Sequence, residues 1–334
     1  MSISKQEVVS KYLPARVLPV ADAMPSALFA PSNIALCKYW GKRDAGLNLP
    51  INSSLSISLG HLGTHTRLAL SESGQDEVWL NGHQVPLKDA FASKVLGFIA
   101  LFRRAEQQPL KVETENNIPT AAGLASSASG FAALMKAVDN FYGLNLPLDV
   151  QSAFARMGSG SASRSLFEGF VEWQMGVRED GMDSHALPLP VAWPELRVGL
   201  VKISTGQKAV DSRSGMNRTV ETAHLYQSWP LQAAADLEKL HQALETRDFT
   251  LLGETAEQNA LSMHATMIAS WPPLLYWQAE SVAAMHAIWQ LRASGVEVYF
   301  TMDAGPNIKL LFAQAAEAEV QRVFPGLEVV APFS

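Results

Sequence analysis

The sequence predicts an α+β protein built from two domains, and three observations support this. At 334 residues the chain is too long for one ordinary hydrophobic core. Strands joined in hairpins are mixed with helices, which is typical of α+β proteins and not of a doubly wound parallel sheet. Prolines at 188, 190 and 194 then interrupt the pattern. We therefore predict an N-terminal arm at 1–27, an N-terminal domain at 28–190 and a C-terminal domain at 191–334.

The first elements are mainly extended. The arm, with three prolines and weak periodicity, is expected to be loosely attached. Apolar and polar residues alternate over 54–59 and again over 64–71, which is the pattern of a half-buried strand. Asn81 and Gly82 favour a tight hairpin within 78–85. Further strands are predicted at 110–115 and 169–173, and helices at 89–104, from about 123, and at 149–157.

The C-terminal domain is predicted to hold longer helices between buried strands. Pro272 and Pro273 end the longest helix, and Gly295 ends the helix that follows it. Strands are predicted at 196–203, 296–302 and 308–312, and helices at 214–229, 231–244, 248–269 and 280–294.

Composition excludes several classes of protein. The chain is 48% hydrophobic and 17% charged, and no apolar run approaches the roughly 20 residues of a membrane span. A net charge of −6 argues against nucleic acid as the main partner. The N-terminus has no signal-peptide pattern, so we expect a cytoplasmic protein. Cys37 is the only cysteine, which excludes an internal disulfide and favours a packed, unreactive thiol.

Residues 116–130 are the most informative stretch of the chain. They are uncharged and small, with three serines and two glycines, and they run directly into a predicted helix. Such a loop can hold phosphate, because free N–H groups and the positive end of the helix dipole face the anion. Close packing of a small-residue helix start explains the same composition equally well. The stretch is neither a P-loop nor a Rossmann fingerprint.

Two further polar loops lie in the N-terminal domain. The first, 30–44, ends in Lys38, Tyr39, Lys42 and Arg43, which could bind phosphate or carboxylate oxygens. Without other support, a solvated charged turn is the simpler interpretation. The second, 158–165, joins glycines and serines to Arg164, whose guanidinium could bind a carboxylate or phosphate. Its alternative is a flexible linker.

The C-terminal domain contributes two more loops. Residues 211–216 form a polar turn at a helix start, in which only Arg213 suggests a ligand, because Asp and Ser are common N-caps. Residues 301–307 place Asp303 after a strand, where it is either ordinary turn chemistry or a carboxylate that orients a hydroxyl. His61 and His65 have no cysteine or acidic partner at metal-binding spacing, so no zinc site is predicted.

Taken in order, these motifs resemble the diphosphomevalonate decarboxylase family of the GHMP kinase superfamily. The resemblance covers nearly the whole chain after about residue 30 and includes the turn Asp303-Ala304-Gly305-Pro306-Asn307. The matching stretches are 30–43, 49–56, 79–82, 117–128, 158–164, 170–173, 214–216, 264–266 and 303–307. The arm matches nothing in the family motifs, so no function is assigned to it.

The resemblance implies a fold, a reaction and cofactors. The fold is the two-domain GHMP kinase fold, with a ribosomal protein S5 domain 2-like N-terminal domain and a ferredoxin-like C-terminal domain. ATP with Mg²⁺ phosphorylates the 3-hydroxyl of mevalonate 5-diphosphate, and loss of phosphate and carbon dioxide gives isopentenyl diphosphate. Family members are commonly homodimers, so a homodimer is expected.

The resemblance also assigns roles by position. Asp303, Arg164 and Lys38 are the implied catalytic residues, with Arg164 on the substrate carboxylate and Asp303 beside the tertiary hydroxyl. The implied substrate-binding residues, besides Arg164 and Asp303, are Tyr39, Lys42, Ser159, Gly160, Ser161, Arg213 and Met216. The implied ATP-binding residues are Pro119, Ala121, Ala122, Gly123, Leu124, Ala125, Ser126 and Ser127, and Ser127 is the implied metal ligand.

Two alternatives stay open. A kinase or decarboxylase of the same superfamily could act on the 3-hydroxyl of mevalonate or its monophosphate, because the number of substrate phosphates rests on Lys42, Arg213 and the serines alone. A non-catalytic sensor on this fold is the other alternative, against which the intact Lys38, Arg164 and Asp303 argue.

Overall fold

A computed structural model describes residues 3–14, 17, 19, 26–103, 108–118, 126–204, 206 and 209–333. The described residues form mixed sheets and helices, which confirms the α+β prediction. Strands and helices occur in each half of the chain, and a separate sheet organises each half.

A mixed sheet organises the N-terminal half. The strands of this half are β1 (Leu28–Cys37), β2 (Lys42–Asp44), β3 (Leu49–Pro50), β4 (Ser54–Leu70), β5 (Glu77–Leu80), β6 (His83–Val85), β7 (Leu110–Asn116), β8 (Phe170–Trp173) and β9 (Ala186–Pro188). The mixed sheet has the order β6-β5-β7-β4-β8-β9, and β1 pairs with β4; β5 and β7 are parallel and the other pairs antiparallel. The strands β2 and β3 pair only with each other, in a separate antiparallel sheet. The helices are α1 (Lys5–Ser10), α2 (Ala90–Ile99), α3 (Ser126–Tyr142), α4 (Leu148–Gly158) and a 3₁₀ helix (Gly160–Leu166).

An antiparallel sheet organises the C-terminal half. Its strands are β10 (Leu196–Val201), β11 (Val298–Met302), β12 (Ile308–Ala313) and β13 (Glu328–Val330). They lie in the order β11-β12-β10-β13. The helices are α5 (Ser212–Thr222), α6 (Trp229–Thr246), α7 (Phe249–Ile268), α8 (Ala279–Ala293) and α9 (Glu317–Val323), with 3₁₀ helices at His224–Ser228 and Gln314–Ala316.

One hydrophobic core joins the two halves. Ile34 and Leu36 of β1 are fully buried in the same cluster as Leu252 and Ala256 of α7. Tyr226 donates its hydroxyl to the carbonyl of Trp40 at 3.0 Å, which adds a polar contact across the same boundary. The end of β1, where Lys38 begins the first polar loop, is therefore held against the C-terminal helices.

The arm departs from its prediction, because residues 5–10 are helical and packed. Ser4 and Glu7 form a capping box at the start of α1. Val8 and Val9 are fully buried, and Lys5 donates its ammonium to the carbonyl of Met157 at 2.7 Å. Proline content and weak periodicity hid a short helix that buried valines and the Lys5 hydrogen bond attach to the N-terminal half.

Strand lengths also differ from prediction. Residues 54–59 and 64–71 were predicted as separate strands, but they belong to one strand, β4, with Gly60 at a φ of 56° between them. The hairpin at Asn81 and Gly82 is confirmed, with both residues at positive φ between β5 and β6. The short strands β9 and β13 were not predicted.

Cys37 is fully buried and donates its thiol to the carbonyl of Ala233 at 3.3 Å; burial, with Asp236 nearby, raises its pKa to about 12. The thiol is therefore packed and unreactive, as predicted.

None of the described helices is long and apolar enough to cross a membrane.

Candidate active site

A cavity of about 500 Å³ lies where the two halves meet. Its walls come from the loops after β1, from the start of α3, from the 3₁₀ helix after α4, from the start of α5 and from the turn after β11. The predicted site residues that line it are Lys38, Tyr39, Lys42, Ser127, Ser159, Gly160, Ser161, Arg164, Arg213, Met216 and Asp303. The four polar loops, separated by up to 270 residues, thus meet at one cavity together with the start of α3.

Asp303 is held between two lysines. Lys38 donates its ammonium to Oδ1 at 3.0 Å, and Lys309 Nζ lies 3.1 Å from Oδ2. Lys38 follows β1 in the N-terminal half, whereas Lys309 lies on β12 in the strand pair that also presents Asp303. Both lysines are 2% exposed, and Asp303 keeps 29% exposure at the cavity wall. The carboxylate is therefore the accessible member of the cluster.

The charges in this cluster are strongly coupled. Burial alone would raise the pKa of Asp303, but Lys309 and Lys38 together hold that pKa well below its usual range. Burial lowers the pKa of Lys38 to about 8, against the opposing effect of Asp303. At neutral pH the cavity thus presents an ionised carboxylate beside a protonated lysine.

Main-chain contacts fix the position of this cluster. Lys38 also donates its ammonium to the carbonyl of Ala35 at 2.7 Å, and Thr301 donates its hydroxyl to the same carbonyl at 3.2 Å. His264 lies with Nε2 3.0 Å from the carbonyl of Asp303. Burial lowers the pKa of His264 to about 4, so the ring is neutral at pH 7 and donates that bond.

Arg164 is a buried cation at the cavity wall. It donates Nη1 to the hydroxyl of Ser54 at 2.5 Å and Nε to Asn33 Oδ1 at 3.3 Å, and it lies over the ring of Trp173 at 5.8 Å. Burial lowers its pKa to about 10, with Asp303 acting in the opposite direction. The guanidinium is charged at neutral pH and its plane is fixed, which suits it to bind a carboxylate.

Tyr39 and Lys42 form another part of the wall. The Tyr39 hydroxyl is buried and has no hydrogen-bond partner within the described residues. Lys42 donates its ammonium to Asn48 Oδ1 at 2.7 Å, and burial, with Arg213 nearby, lowers its pKa to about 8. Gly160 is required here, because a Cβ would lie 2.7 Å from the Tyr39 ring.

The start of α5 brings charges of both signs to the cavity, because Asp211 and Arg213 both line it. Asp211 caps this helix by accepting from the backbone N–H groups of Arg213 and Ser214. Arg213 and Met216 line the cavity from the first turns of α5. The positive end of a helix dipole therefore lies at the same wall as Lys42.

Part of the predicted ATP site lies outside the described residues. Pro119, Ala121, Ala122, Gly123, Leu124 and Ala125 belong to this part, and for Ser126 only the start of α3 is described. Ser127, in the first turn of α3, lines the cavity, and its hydroxyl lies 3.4 Å from that of Ser159. A hydroxyl beside a helix N-terminus fits a phosphate-bound Mg²⁺, which needs few protein ligands.

Sequence reasoning missed several residues of the site. Lys309 is the most important, and the available signal was a lysine within the otherwise apolar strand β12. Asn33, Ser54 and Asn48 hold Arg164 and Lys42, and no local pattern identifies them. Arg43, named with Lys42 at the sequence level, instead donates to the carbonyls of Met175 and Arg178 away from the cavity wall.

Comparisons with known proteins cover most of the chain. The family model described as the diphosphomevalonate decarboxylase-like N-terminal domain matches residues 30–186. The model described as the mevalonate 5-diphosphate decarboxylase C-terminal domain matches residues 200–328. The diphosphomevalonate decarboxylase of Eremothecium gossypii is 40% identical over 311 residues, which are 87% of this chain and 78% of that protein.

Solved structures give the same result. The structure described as MDDEF in complex with MVAPP, AMPPCP and magnesium superposes with a TM-score of 0.85 at 40% identity, covering 92% of this chain and 97% of that chain. The mevalonate diphosphate decarboxylase from Enterococcus faecalis, in a structure on mevalonate diphosphate-mediated ATP binding, superposes with a TM-score of 0.84 at 39% identity, with the same coverage of 92% and 97%.

Proposed function

We propose that this chain, which belongs to the diphosphomevalonate decarboxylase family, converts mevalonate 5-diphosphate and ATP to isopentenyl diphosphate, ADP, phosphate and carbon dioxide. The observation that carries the proposal is Asp303, ionised between Lys38 and Lys309 at a cavity that also presents Arg164. The Asp303 carboxylate can accept a hydrogen bond from a hydroxyl, and the Arg164 guanidinium can bind a carboxylate. These are the two functional groups of a 3-hydroxy acid.

Asp303 orients the tertiary 3-hydroxyl by accepting its hydrogen bond. A carboxylate whose pKa is held so low is a weak base, so orientation contributes more than full proton removal before transfer. The hydroxyl oxygen attacks the γ-phosphorus, the bond from that phosphorus to the bridging oxygen breaks, and ADP leaves. The hydroxyl proton passes to a non-bridging oxygen of the transferred phosphoryl group. Lys38 and Lys309 keep Asp303 ionised throughout.

Decarboxylation follows from the phosphorylated intermediate. The C3–O bond breaks with phosphate as the leaving group, and the bond from C2 to the carboxylate carbon breaks at the same stage. Its electron pair forms the new double bond, and carbon dioxide is released. Arg164 holds the carboxylate so that this bond is aligned for the loss.

The remaining predicted residues bind the phosphates. We assign the substrate diphosphate to Tyr39, Lys42, Ser159, Gly160, Ser161, Arg213 and Met216. The ATP phosphates are assigned to Pro119, Ala121, Ala122, Gly123, Leu124, Ala125, Ser126 and Ser127. Two observations support these assignments. Ser127 lines the same cavity as the residues assigned to the diphosphate, and the MDDEF structure contains AMPPCP and magnesium. Bound at Ser127, Mg²⁺ would neutralise phosphate charge during transfer.

A kinase or decarboxylase acting on mevalonate or its monophosphate is the second candidate. The experiment that separates them supplies ATP and Mg²⁺ with mevalonate carrying no, one or two phosphates, and measures ADP and released carbon dioxide. The proposed function requires equal amounts of ADP and carbon dioxide from the diphosphate and little of either from the others. ADP without carbon dioxide would contradict it and indicate a kinase.

Organisation and location are further parts of the proposal. We assign residues 1–27 to an arm, 28–190 to the ATP-binding domain and 191–334 to the second domain, supported by the separate sheets of the two halves. We also propose a cytoplasmic homodimer with a small-molecule substrate and no nucleic-acid or membrane partner. Sedimentation of the purified protein tests the homodimer.

A further inference from the structure

A buried amide and a buried carboxylate hold the main chain at Lys38. Asn259 on α7 and Asp236 on α6 are both fully buried. Lys38 donates its backbone N–H to Asn259 Oδ1 at 2.8 Å, and Asn259 donates Nδ2 to Asp236 Oδ2 at 2.8 Å. Both side chains belong to the C-terminal half, whereas Lys38 directly follows β1 of the N-terminal half. The contact therefore crosses between the halves, behind the cavity wall.

The chemistry of the pair fixes which way the Asn259 amide faces. A carboxylate only accepts hydrogen bonds, so Asp236 takes the NH₂ group of Asn259 and leaves Oδ1 for the N–H of Lys38. Gln232 donates Nε2 to the other oxygen of Asp236 at 2.7 Å and so fixes the carboxylate itself. Asp236 therefore determines which atom of Asn259 faces the Lys38 N–H, although Asp236 does not itself contact Lys38.

Lys38 is held on both sides of its Cα. Asn52 donates Nδ2 to the carbonyl of Lys38 at 2.9 Å, while Asn259 accepts from its N–H. The side chain then reaches the carbonyl of Ala35 and the carboxylate of Asp303. A lysine chain is flexible, so the position of its ammonium depends on where its Cα is held.

We propose that Asn259 is a positioning residue for Lys38, oriented by Asp236, and that it places the Lys38 ammonium beside Asp303 across the junction of the two halves. Neither Asn259 nor Asp236 lines the cavity, so both act through Lys38. The inference rests on the proposed function, because it takes turnover at Asp303 as its readout.

The first test is Asn259→Leu, assayed with mevalonate 5-diphosphate and ATP. Loss of both hydrogen bonds displaces the main chain of Lys38, so kcat is expected to fall about 10-fold or more while both KM values stay within about twofold. An unchanged kcat would overturn the inference, and so would a loss expressed only in KM.

An exchange of the two side chains separates positioning from mere packing. Asn259→Asp alone brings a second carboxyl group against Asp236, so the pair keeps its contact only by taking up a proton, and kcat is expected to lie below that of wild type. The double variant Asp236→Asn/Asn259→Asp restores the pairing: the amide at 236 donates to the carboxylate at 259, which still accepts from Lys38. Recovery of kcat to within about threefold of wild type is expected. A double variant that folds and stays as slow as Asn259→Asp would overturn the inference.

A milder pair of variants covers the case in which the buried substitutions prevent folding. Gln232→Ala trims a half-buried side chain and frees Asp236, so kcat is expected to fall about threefold. Gln242→Ala, on an exposed position of the same helix, is the control and should leave kcat unchanged. Equal kcat values in the two variants would overturn the inference. Wild-type protein that releases no carbon dioxide would instead end the proposed function itself.

Discussion

Lys309 and Asp303 form an ion pair of 3.1 Å that uses the carboxylate oxygen not contacted by Lys38. The two lysines come from opposite halves of the chain, so Asp303 reaches this state only when both halves are assembled. Burial would otherwise favour the neutral acid. The ion pair with Lys309 therefore keeps the carboxylate able to accept a hydrogen bond from a hydroxyl.

Replacing Lys309 should move the acid side of the pH profile. Lys309→Met removes one of the two cations that lower the pKa of Asp303, so this pKa rises and the ionised form is lost at a higher pH as the solution is acidified. The measurement is kcat/KM between pH 4 and 9. Lys202→Met is the control, because Lys202 pairs with Glu328 at the surface. Coincident acid limbs in Lys309→Met and wild type would contradict the assigned role of Lys309.

The alkaline limb of the pH profile of kcat/KM should depend on the deprotonation of Lys38 and Lys42. Burial lowers the pKa values of Lys38 and Lys42 to about 8, so both ammonium groups lose their protons as pH rises through about 8 in the free protein. We expect kcat/KM, which reports the free enzyme, to fall above this pH with the steepness of two protons. In Lys42→Gln the slope should drop to one proton. A wild-type profile that stays flat to pH 9.5 would exclude this account of the two lysines.

The fold was predictable where local chemistry determines it. Asn81 and Gly82 specify their hairpin because this turn requires positive φ at two consecutive positions, which few residue types adopt. The continuity of β4 through Gly60 was not predictable, since a glycine between two alternating stretches usually ends a strand. The strand β13 has only three residues, too few to show a period, and it forms because β10 offers it an edge.

The site was predictable to the extent that its motifs are local. Lys38, Arg164 and Asp303 stand in long polar loops, and the resemblance of those loops to a family assigned them roles. Lys309 contacts Asp303, 6 positions away, and Asn259 contacts Lys38, 221 positions away. Each of the two lies inside a strand or helix whose sequence pattern is that of a buried core element. Periodicity identifies which face of an element is buried and does not identify the partner that a buried polar group meets.

Tyr39→Phe tests the diphosphate side of the cavity. The Tyr39 hydroxyl is buried without a partner among the described residues, so its loss should leave the thermal unfolding midpoint unchanged or slightly raised. On the proposed assignment the variant also loses a hydrogen bond to a charged phosphate, so the KM for mevalonate 5-diphosphate should rise about 10-fold with the KM for ATP unchanged. Tyr12→Phe, at an exposed position, is the control. An equal rise in both KM values would remove Tyr39 from the substrate diphosphate.

Arg164→Lys tests the carboxylate side. Lysine keeps the charge but loses the planar fork that Ser54 and Asn33 hold in place. We expect kcat/KM for mevalonate 5-diphosphate to fall about 100-fold, while nucleotide binding is retained. Nucleotide affinity measured by calorimetry with AMPPCP distinguishes this from a general loss of structure. Full activity of Arg164→Lys would show that no planar contact is made there.

The attachment of α1 predicts a measurable effect on stability. Val8 and Val9 are fully buried, and replacing both with alanine should cost about 2 kcal/mol or more in unfolding free energy. The thermal unfolding midpoint should fall accordingly. Val177→Ala, at a position that is 82% exposed, should leave it unchanged. If the double valine variant and the wild-type protein had equal unfolding midpoints, the arm would be loosely attached and the contacts of α1 would contribute nothing to stability.

Asp303→Ala, assayed for carbon dioxide release and nucleotide binding on the same preparation, shows whether turnover depends on the Asp303 carboxylate. The variant leaves Ser127 at the cavity but removes the carboxylate that is proposed to orient the 3-hydroxyl. We predict that turnover of mevalonate 5-diphosphate falls by about 1,000-fold or more while the affinity for AMPPCP stays within about threefold of wild type. Near-normal release of carbon dioxide by this variant would contradict the assignment of Asp303 and the decarboxylation mechanism built on it.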